Sequence, residues 1–142
     1  MCMINPINYN VISFSSRKSP IEKSVDIHRE LTEKGFYDTK ANKKTRFDYL
    51  YSEIEEFRQA VKNNDRENME EEIGDVIFDA ILLADYYKIN PRKALEKTVN
   101  KMDSRLVLVK KYAEKPLLEY TFEERMEFWE KAKKELRLKE KR

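Results

Sequence analysis

Two short acidic motifs hold the residues of this chain whose types and spacing can do chemistry. They are EIEE at positions 53–56 and EIGD at positions 72–75. In each motif two carboxylates stand three residues apart, which on a helix places them about one turn apart on neighbouring faces. Each of these acids also precedes an apolar residue, so the acids flank the buried stripes of two helices. The four acids are Glu53, Glu56, Glu72 and Asp75.

Carboxylates grouped this closely beside a core repel one another unless a cation neutralises them. Mg²⁺ takes oxygen ligands and is often shared with substrate phosphates, and Mn²⁺ accepts similar ligands. We therefore predict that the four acids bind Mg²⁺, with Mn²⁺ as an alternative. Acids one turn apart on one helix usually form a solvated surface. The prediction therefore depends on the second motif, which repeats the register of the first.

Two cations farther along the chain can complement the acids. Lys101 and Arg105 are four residues apart, beside an apolar stripe that passes through Met102 and Val109. Their charges suit phosphate oxygens that a metal ion leaves uncovered. An ordinary exposed pair on a helix surface has the same spacing, so that alternative stays open at this point.

Helices must position these side chains, and the apolar period predicts five helices and no strand. Ser19-Pro20 and the capping box at positions 121–124 are helix starts, and Gly35 is a natural helix end. A tight turn at positions 63–65 joins the second and third helices, which must then pack antiparallel. The predicted helices are 19–34, 45–63, 66–88, 91–113 and one that begins at 121. The stripes of the middle three pass through Phe47, Leu50, Ile54, Phe57 and Val61; Met69, Ile73, Val76, Ala80 and Leu83; and Leu95, Thr98, Met102, Leu106 and Val109.

Composition agrees with an all-α protein. Of the 142 residues, 39% are charged and only two are glycine, a mixture typical of helical proteins. We predict an all-α fold of four-helix-bundle type. It comprises an irregular N-terminal arm (1–18), a helical domain (19–113) and a C-terminal helical extension (114–142).

The single cysteine excludes a disulfide framework and fits a reducing compartment. No run of about 18 apolar residues predicts a membrane span, and the first residues lack a signal-peptide pattern. We therefore expect a cytoplasmic protein with no membrane partner. Residues 125–142 contain eight bases and four acids, yet a solvated amphipathic helix explains them, so nucleic acid is not an expected partner.

The order of these motifs resembles the MazG-type all-α nucleoside triphosphate pyrophosphohydrolases. The resemblance spans roughly residues 28–112 and is most specific at "EIEEFRQAV" and "EEEIGDVIFDAILLA". The stretch "EKGFYD", at positions 33–38, is similar to a Lys-Gly-aromatic segment of small members. The chain departs from the pattern after Lys101, where many relatives have Tyr-Asn and this chain has Ser104-Arg105.

The resemblance implies cleavage of an NTP or dNTP to the monophosphate and pyrophosphate. It implies that the four acids are the catalytic metal ligands and that Lys101 and Arg105 contact phosphates. It also makes Lys34 and Phe36 candidates for substrate binding, with Phe36 or Tyr37 able to stack on the base. Family members are dimers or tetramers, so we expect a homodimer or homotetramer.

Two other functions compete with this interpretation. One is a non-catalytic interaction module whose acidic hairpin contacts a basic partner or solvent. The other is a phosphoribosyl-ATP pyrophosphohydrolase, which shares the acidic layout. His28, the sole histidine, is expected to be a packing residue, and its solitude argues against a ferritin-like di-metal oxidase.

Overall fold

The computed structural model describes residues 18–37 and 44–142, and in these ranges it contains helices and no strand. The all-α fold class is therefore confirmed. The helices are α1 (Pro20–Glu33), α2 (Arg46–Lys62), α3 (Arg66–Tyr86), α4 (Pro91–Tyr112) and α5 (Phe122–Glu140), with a short 3₁₀ helix at Leu117–Glu119. Each observed α-helix lies within two residues of its predicted bounds wherever both ends were predicted.

Local capping explains where these helices begin and end. Ser19 and Thr121 each accept a hydrogen bond from the backbone N–H three residues on, and the glutamate there accepts one from the backbone N–H of the cap residue. Thr45 makes the same capping box at the start of α2, which the sequence analysis did not identify. Gly35 follows α1 with φ +73°, a left-handed conformation that suits glycine.

The chain divides into two compact units, one up to Arg92 and the other from Lys93 to Arg142. In the first unit α3 packs against both α1 and α2, and α2 and α3 form the predicted hairpin. Its buried apolar residues are Val25, Ala60 and Leu82. The predicted domain limits after residues 18 and 113 stay predictions. The N-terminal arm, apart from Lys18, lies outside the described residues.

The second unit has its own small core. Leu108 and Val109 of α4 are buried together with Ala132 of α5. Larger apolar side chains, which are partly buried, surround these three; they are Tyr112, Leu117, Phe128, Trp129 and Leu136. None of the described helices combines the length and apolar composition needed to cross a bilayer.

The predicted apolar stripes are only partly covered within one chain. Ile54 of α2 and Ile73 of α3 are 39% and 38% exposed. On α4, Leu95 is 52% exposed and Leu106 41%, whereas Val109 is buried. The buried stripes predicted for α2 and α3 are therefore only partly buried within the single chain. In the first unit α1 packs on α3, and no other described helix of that unit covers the other side of the hairpin.

Candidate active site

The α2–α3 hairpin carries the four predicted acidic ligands. Glu53 and Glu56 lie on α2, and Glu72 and Asp75 lie on α3. Because the two helices run antiparallel, the acids of one motif approach those of the other from the facing helix. The turn between the helices is tight: Asn64 has φ +52°, and Asp65 caps α3 by accepting a hydrogen bond from the backbone of Asn68.

The structure brings three of the four acids together. Glu53, Glu56 and Glu72 each offer a carboxylate oxygen, and the three oxygens lie within 4.8 Å of one another. Glu53 and Glu72 are half-buried, whereas Glu56 is exposed. Asp75 is exposed and lies outside this group of atoms, one turn farther along α3. We call Glu53, Glu56 and Glu72 the acid cluster.

The carboxylates of the acid cluster repel one another, and no cation of the described residues pairs with them. Burial raises the pKa of Glu53, and the neighbouring Glu56, Asp79 and Asp75 carboxylates raise that pKa further. Burial, followed by the charge of Glu56, likewise raises the pKa of Glu72. Within the described residues, no lysine or arginine forms an ion pair with a carboxylate of the cluster. Three converging carboxylate oxygens are a donor set that fits Mg²⁺.

The sequence analysis missed a fifth acid, Asp79. It lies on α3 one turn beyond Asp75 and is half-buried. Burial raises the pKa of Asp79, the charge of Asp75 raises it further, and Arg46 partly offsets the effect. The spacing of four residues from Asp75 was the available signal, since residues four apart share one helix face.

Asp79 and Glu53 line a cavity of about 120 Å³. Its other walls are Phe36, Tyr37, Arg46, Tyr49, Leu82 and Leu83. The ring of Phe36 meets that of Tyr37 edge to face, at 5.1 Å between centroids. The structure thus places the predicted Phe36, together with Tyr37, in a cavity that adjoins the acid cluster.

Arg46 is the unpredicted cation of this cavity. Its guanidinium carbon lies 3.5 Å from the centre of the Tyr37 ring and 5.2 Å from that of Tyr86. Contacts of this kind hold a guanidinium in a fixed plane. The Nη1 atom is buried and has no hydrogen-bond partner within the described structure.

The other predicted contacts lie elsewhere. Lys34 forms a surface ion pair with Glu30 at 3.2 Å and does not line the cavity. Lys101 and Arg105 belong to the second unit, where they line a groove of about 800 Å³ between α4 and α5. The guanidinium carbon of Arg105 lies 5.4 Å from the ring centre of Trp129. The roles of these three cations stay predictions.

A second carboxylate site, at the other end of α3, is built differently. Asp85 accepts hydrogen bonds from Nδ1 of His28 at 2.8 Å and from Nη2 of Arg29 at 2.9 Å. His28 and Asp85 are both buried. Burial acts to raise the pKa of Asp85, but the hydrogen bonds from Arg29 and His28 outweigh it and hold that pKa below its usual range. His28 is thus a buried member of an ionic network, which is more than the packing role predicted from sequence.

Comparison with known proteins agrees with the resemblance seen in the sequence. The family model of the MazG nucleotide pyrophosphohydrolase domain matches residues 41–107. The chain is also 34% identical, over 88 residues, to the nucleoside triphosphate pyrophosphohydrolase/pyrophosphatase MazG of Thermotoga maritima. That match covers 59% of this chain and only 34% of the relative's length. No solved structure shows a significant match.

The matched segment includes the whole α2–α3 hairpin, with the acid cluster, Asp75 and Asp79, and also the two predicted phosphate contacts of α4. The resemblance predicted from the sequence is therefore confirmed over this segment: residues 41–107 match the MazG nucleotide pyrophosphohydrolase domain.

Proposed function

We propose that the chain is a Mg²⁺-dependent nucleoside triphosphate pyrophosphohydrolase. It hydrolyses an NTP or dNTP at the α-phosphorus and releases the monophosphate and pyrophosphate. The observation that carries the proposal is the acid cluster. Three carboxylate oxygens converge within 4.8 Å with no counterion among the described residues, and they do so inside the segment that matches the MazG domain.

Glu53, Glu56 and Glu72 would hold the metal ion, with Asp75 beside them as a further ligand. When bound, Mg²⁺ lowers the pKa of a coordinated water and stabilises the charge that develops on the phosphate oxygens. The residues of the chain contribute by positioning the metal and the substrate. Two helices joined by a tight turn hold the carboxylates at fixed positions relative to one another. The triphosphate is therefore oriented before the reaction begins.

Lys101 and Arg105 would contact phosphate oxygens, and Phe36 would stack on the base. Lys34 remains a weaker candidate because Glu30 already pairs with it. A charge-assisted contact contributes about 1.5–3 kcal/mol. Replacing Lys101 or Arg105 with Met should therefore lower kcat/KM roughly ten- to a hundredfold. Lys97→Met, one turn earlier on α4, is the matched control, and changes below about twofold at both sites would remove Lys101 and Arg105 from the proposal.

The exposed stripes support a homo-oligomer, a dimer or a tetramer. Ile54 and Ile73 on the hairpin, and Leu95 and Leu106 on α4, are large apolar residues left open in one chain. Burying such a side chain contributes about 1.5–3 kcal/mol, which a second copy can supply. A fully active monomer in light scattering at micromolar concentration would contradict this. A cytoplasmic location is proposed on the single cysteine alone.

A panel of NTPs and dNTPs tests the reaction. Each is incubated with Mg²⁺ or with a chelator, and monophosphate, pyrophosphate, diphosphate and inorganic phosphate are all measured. We expect monophosphate and pyrophosphate in equal amounts, and only when Mg²⁺ is present. Diphosphate with inorganic phosphate would overturn the attack at the α-phosphorus. Cleavage of phosphoribosyl-ATP alone would identify the related pyrophosphohydrolase, and no cleavage of any substrate would favour an interaction module.

A further inference from the structure

The cavity next to the acid cluster contains an unusual combination of polar groups. Its volume, about 120 Å³, is well below that of sites that enclose a whole drug-sized ligand, about 300–1,000 Å³. It suits one planar ring system. Aromatic side chains form part of its wall, and the polar lining comes from Arg46, Glu53, Asp79 and the hydroxyls of two tyrosines.

The donor of this cavity, Arg46, has an unmet hydrogen bond. Its Nη1 is buried without a partner among the described residues, while Tyr37 packs on the guanidinium plane at 3.5 Å. Leaving a buried donor unsatisfied costs about 1–3 kcal/mol. Native structures contain few such groups, and each calls for an explanation. A ligand acceptor that enters the cavity provides one.

The acceptor of the cavity, Asp79, also lacks a hydrogen-bond partner among the described residues. It is half-buried and makes no hydrogen bond or ion pair with any described residue. The charge of Arg46 acts to lower the pKa of Asp79, yet no salt bridge joins the two side chains. A guanidinium and a carboxylate thus line one small space and leave room between them.

We propose that Arg46 and Asp79 select the base of the substrate, and that this base is guanine. The inference rests on the proposed function and names its substrate class. The pairing edge of guanine presents one acceptor, O6, followed by two donors, the N1–H and the N2 amino group. A guanidinium donates to O6, and one carboxylate accepts from both donors.

The other bases fit the pair less well. Adenine presents a donor and then an acceptor at the same positions. Its amino donor would therefore face the donor Arg46, and its ring acceptor would face the acceptor Asp79. Cytosine has one amino donor followed by two acceptors, and uracil has a single donor between two acceptors. Each of these leaves the carboxylate facing at least one acceptor, which a site of buried polar groups rejects strongly.

The position along the hairpin also suits a nucleotide. Arg46 and Glu53 are seven residues apart, so they lie on one face of α2, about 10 Å apart along the axis. Asp75 and Asp79 also share one face of α3 and are one turn apart. Because Glu53 of the acid cluster lines the same cavity, a base between Arg46 and Asp79 lies next to the cluster, with its sugar and phosphates on the Glu53 side.

The test uses kcat/KM for GTP, ITP, XTP and ATP with Mg²⁺. ITP lacks the N2 amino group, and XTP has a carbonyl oxygen in its place. We expect the natural protein to prefer GTP over ATP and XTP by roughly ten- to a hundredfold, with ITP between them. Asp79→Asn introduces an amide N–H where the carboxylate accepted a bond. It should lower activity on GTP and raise activity on XTP, which inverts the preference.

Glu70→Gln, an exposed acid on α3, is the matched control and should keep the GTP preference. Equal activity on the four bases would overturn the inference. So would an Asp79→Asn variant that loses activity on all of them alike, because that result assigns Asp79 to the metal or to the fold. Arg46→Lys keeps the charge but loses the planar donor pair, and it should weaken GTP more than ATP.

Binding of the monophosphates GMP, XMP and AMP, measured by calorimetry without metal, separates the two proposals. GMP-selective binding by a protein that hydrolyses no triphosphate would overturn the proposed function and leave the base assignment standing. Hydrolysis of triphosphates together with unselective monophosphate binding would do the reverse.

Discussion

The first unit contains two carboxylate sites that both use α3 and differ in which groups neutralise their charge. At one end of α3, Asp85 is buried with His28 and Arg29, which donate at 2.8 and 2.9 Å. Toward the other end, the acid cluster places three carboxylate oxygens within 4.8 Å of one another without an ion pair from the described residues.

The fold supplies the partners of the first site, whereas the second is the site at which we propose that a metal ion binds. The protein itself supplies the partners of Asp85, so its ionised form stabilises the folded state. The charges of the acid cluster repel one another, and folding alone gains nothing from them. Functional sites often hold charges that the fold leaves unmatched. The two sites therefore predict mutational effects of opposite kinds.

The largest expected effect is on catalysis. Glu72→Gln removes a proposed metal ligand and should lower kcat/KM by more than about a hundredfold. Mutation of residues that only contact a metal ligand already lowers metal affinity or activity by about 10–100-fold. The helical circular-dichroism signal should not change. Glu55→Gln is the matched control, because Glu55 lies in the same motif but pairs with Arg58 at 2.9 Å. Equal losses in both variants would contradict the separate role of the acid cluster.

The next effect is on stability. Asp85→Ala leaves Nδ1 of His28 buried without its partner and should lower the free energy of unfolding by about 1–3 kcal/mol. Asp26→Ala breaks a surface pair with Lys18 and should cost no more than about 1 kcal/mol. Urea unfolding of the two variants measures both values. A loss at Asp85 no larger than that at Asp26 would show that the buried network is not what holds α1 on α3.

A glycine inside the second motif gives a smaller effect. A Cβ on Gly74 would meet nothing within 4 Å, so close packing within the chain does not explain this glycine. Gly74→Ala should therefore stabilise the helix by about 1 kcal/mol. If a substrate or a second copy approaches this backbone, activity or assembly should fall although stability rises. A variant that gains stability and keeps full activity and assembly would show that neither a substrate nor a second copy packs against Gly74.

The smallest effect is the pH dependence of stability, and its sign differs between the two sites. The pKa of Asp85 is lowered in the fold, so its contribution is present above the usual carboxyl range and is lost as pH falls through the folded value. The pKa of Glu53 is raised, so its ionisation lowers stability as pH rises above the usual value of 4.5.

Glu53→Gln should accordingly raise the Tm at pH 7 in a chelator and leave it unchanged near pH 4. Added Mg²⁺ should stabilise the natural protein and not the variant, because a ligand that binds only the folded state raises its stability. A Tm at pH 7 that falls on replacing Glu53 without metal would mean that this carboxylate is a structural residue.

The helices and the acidic motifs were predictable from the amino-acid sequence. Capping boxes, the turn between α2 and α3 and the left-handed Gly35 depend on residues within four positions of one another. Such local interactions are readable from the chain. The pairing of the two acidic motifs was also predictable, because a tight turn leaves an antiparallel hairpin as the only arrangement.

The groups that lie beside those acids depend on contacts between residues far apart in the sequence. The partners His28 and Asp85 are 57 residues apart, and Arg46 reaches the cavity it shares with Asp79 from a different helix. The local pattern places Asp79 on the same helix face as Asp75, but neither that pattern nor the one around Asp85 shows which groups lie opposite. The chain places an acid on a helix face through its period, but the helix packed opposite decides whether that acid meets a cation, another carboxylate or an open cavity.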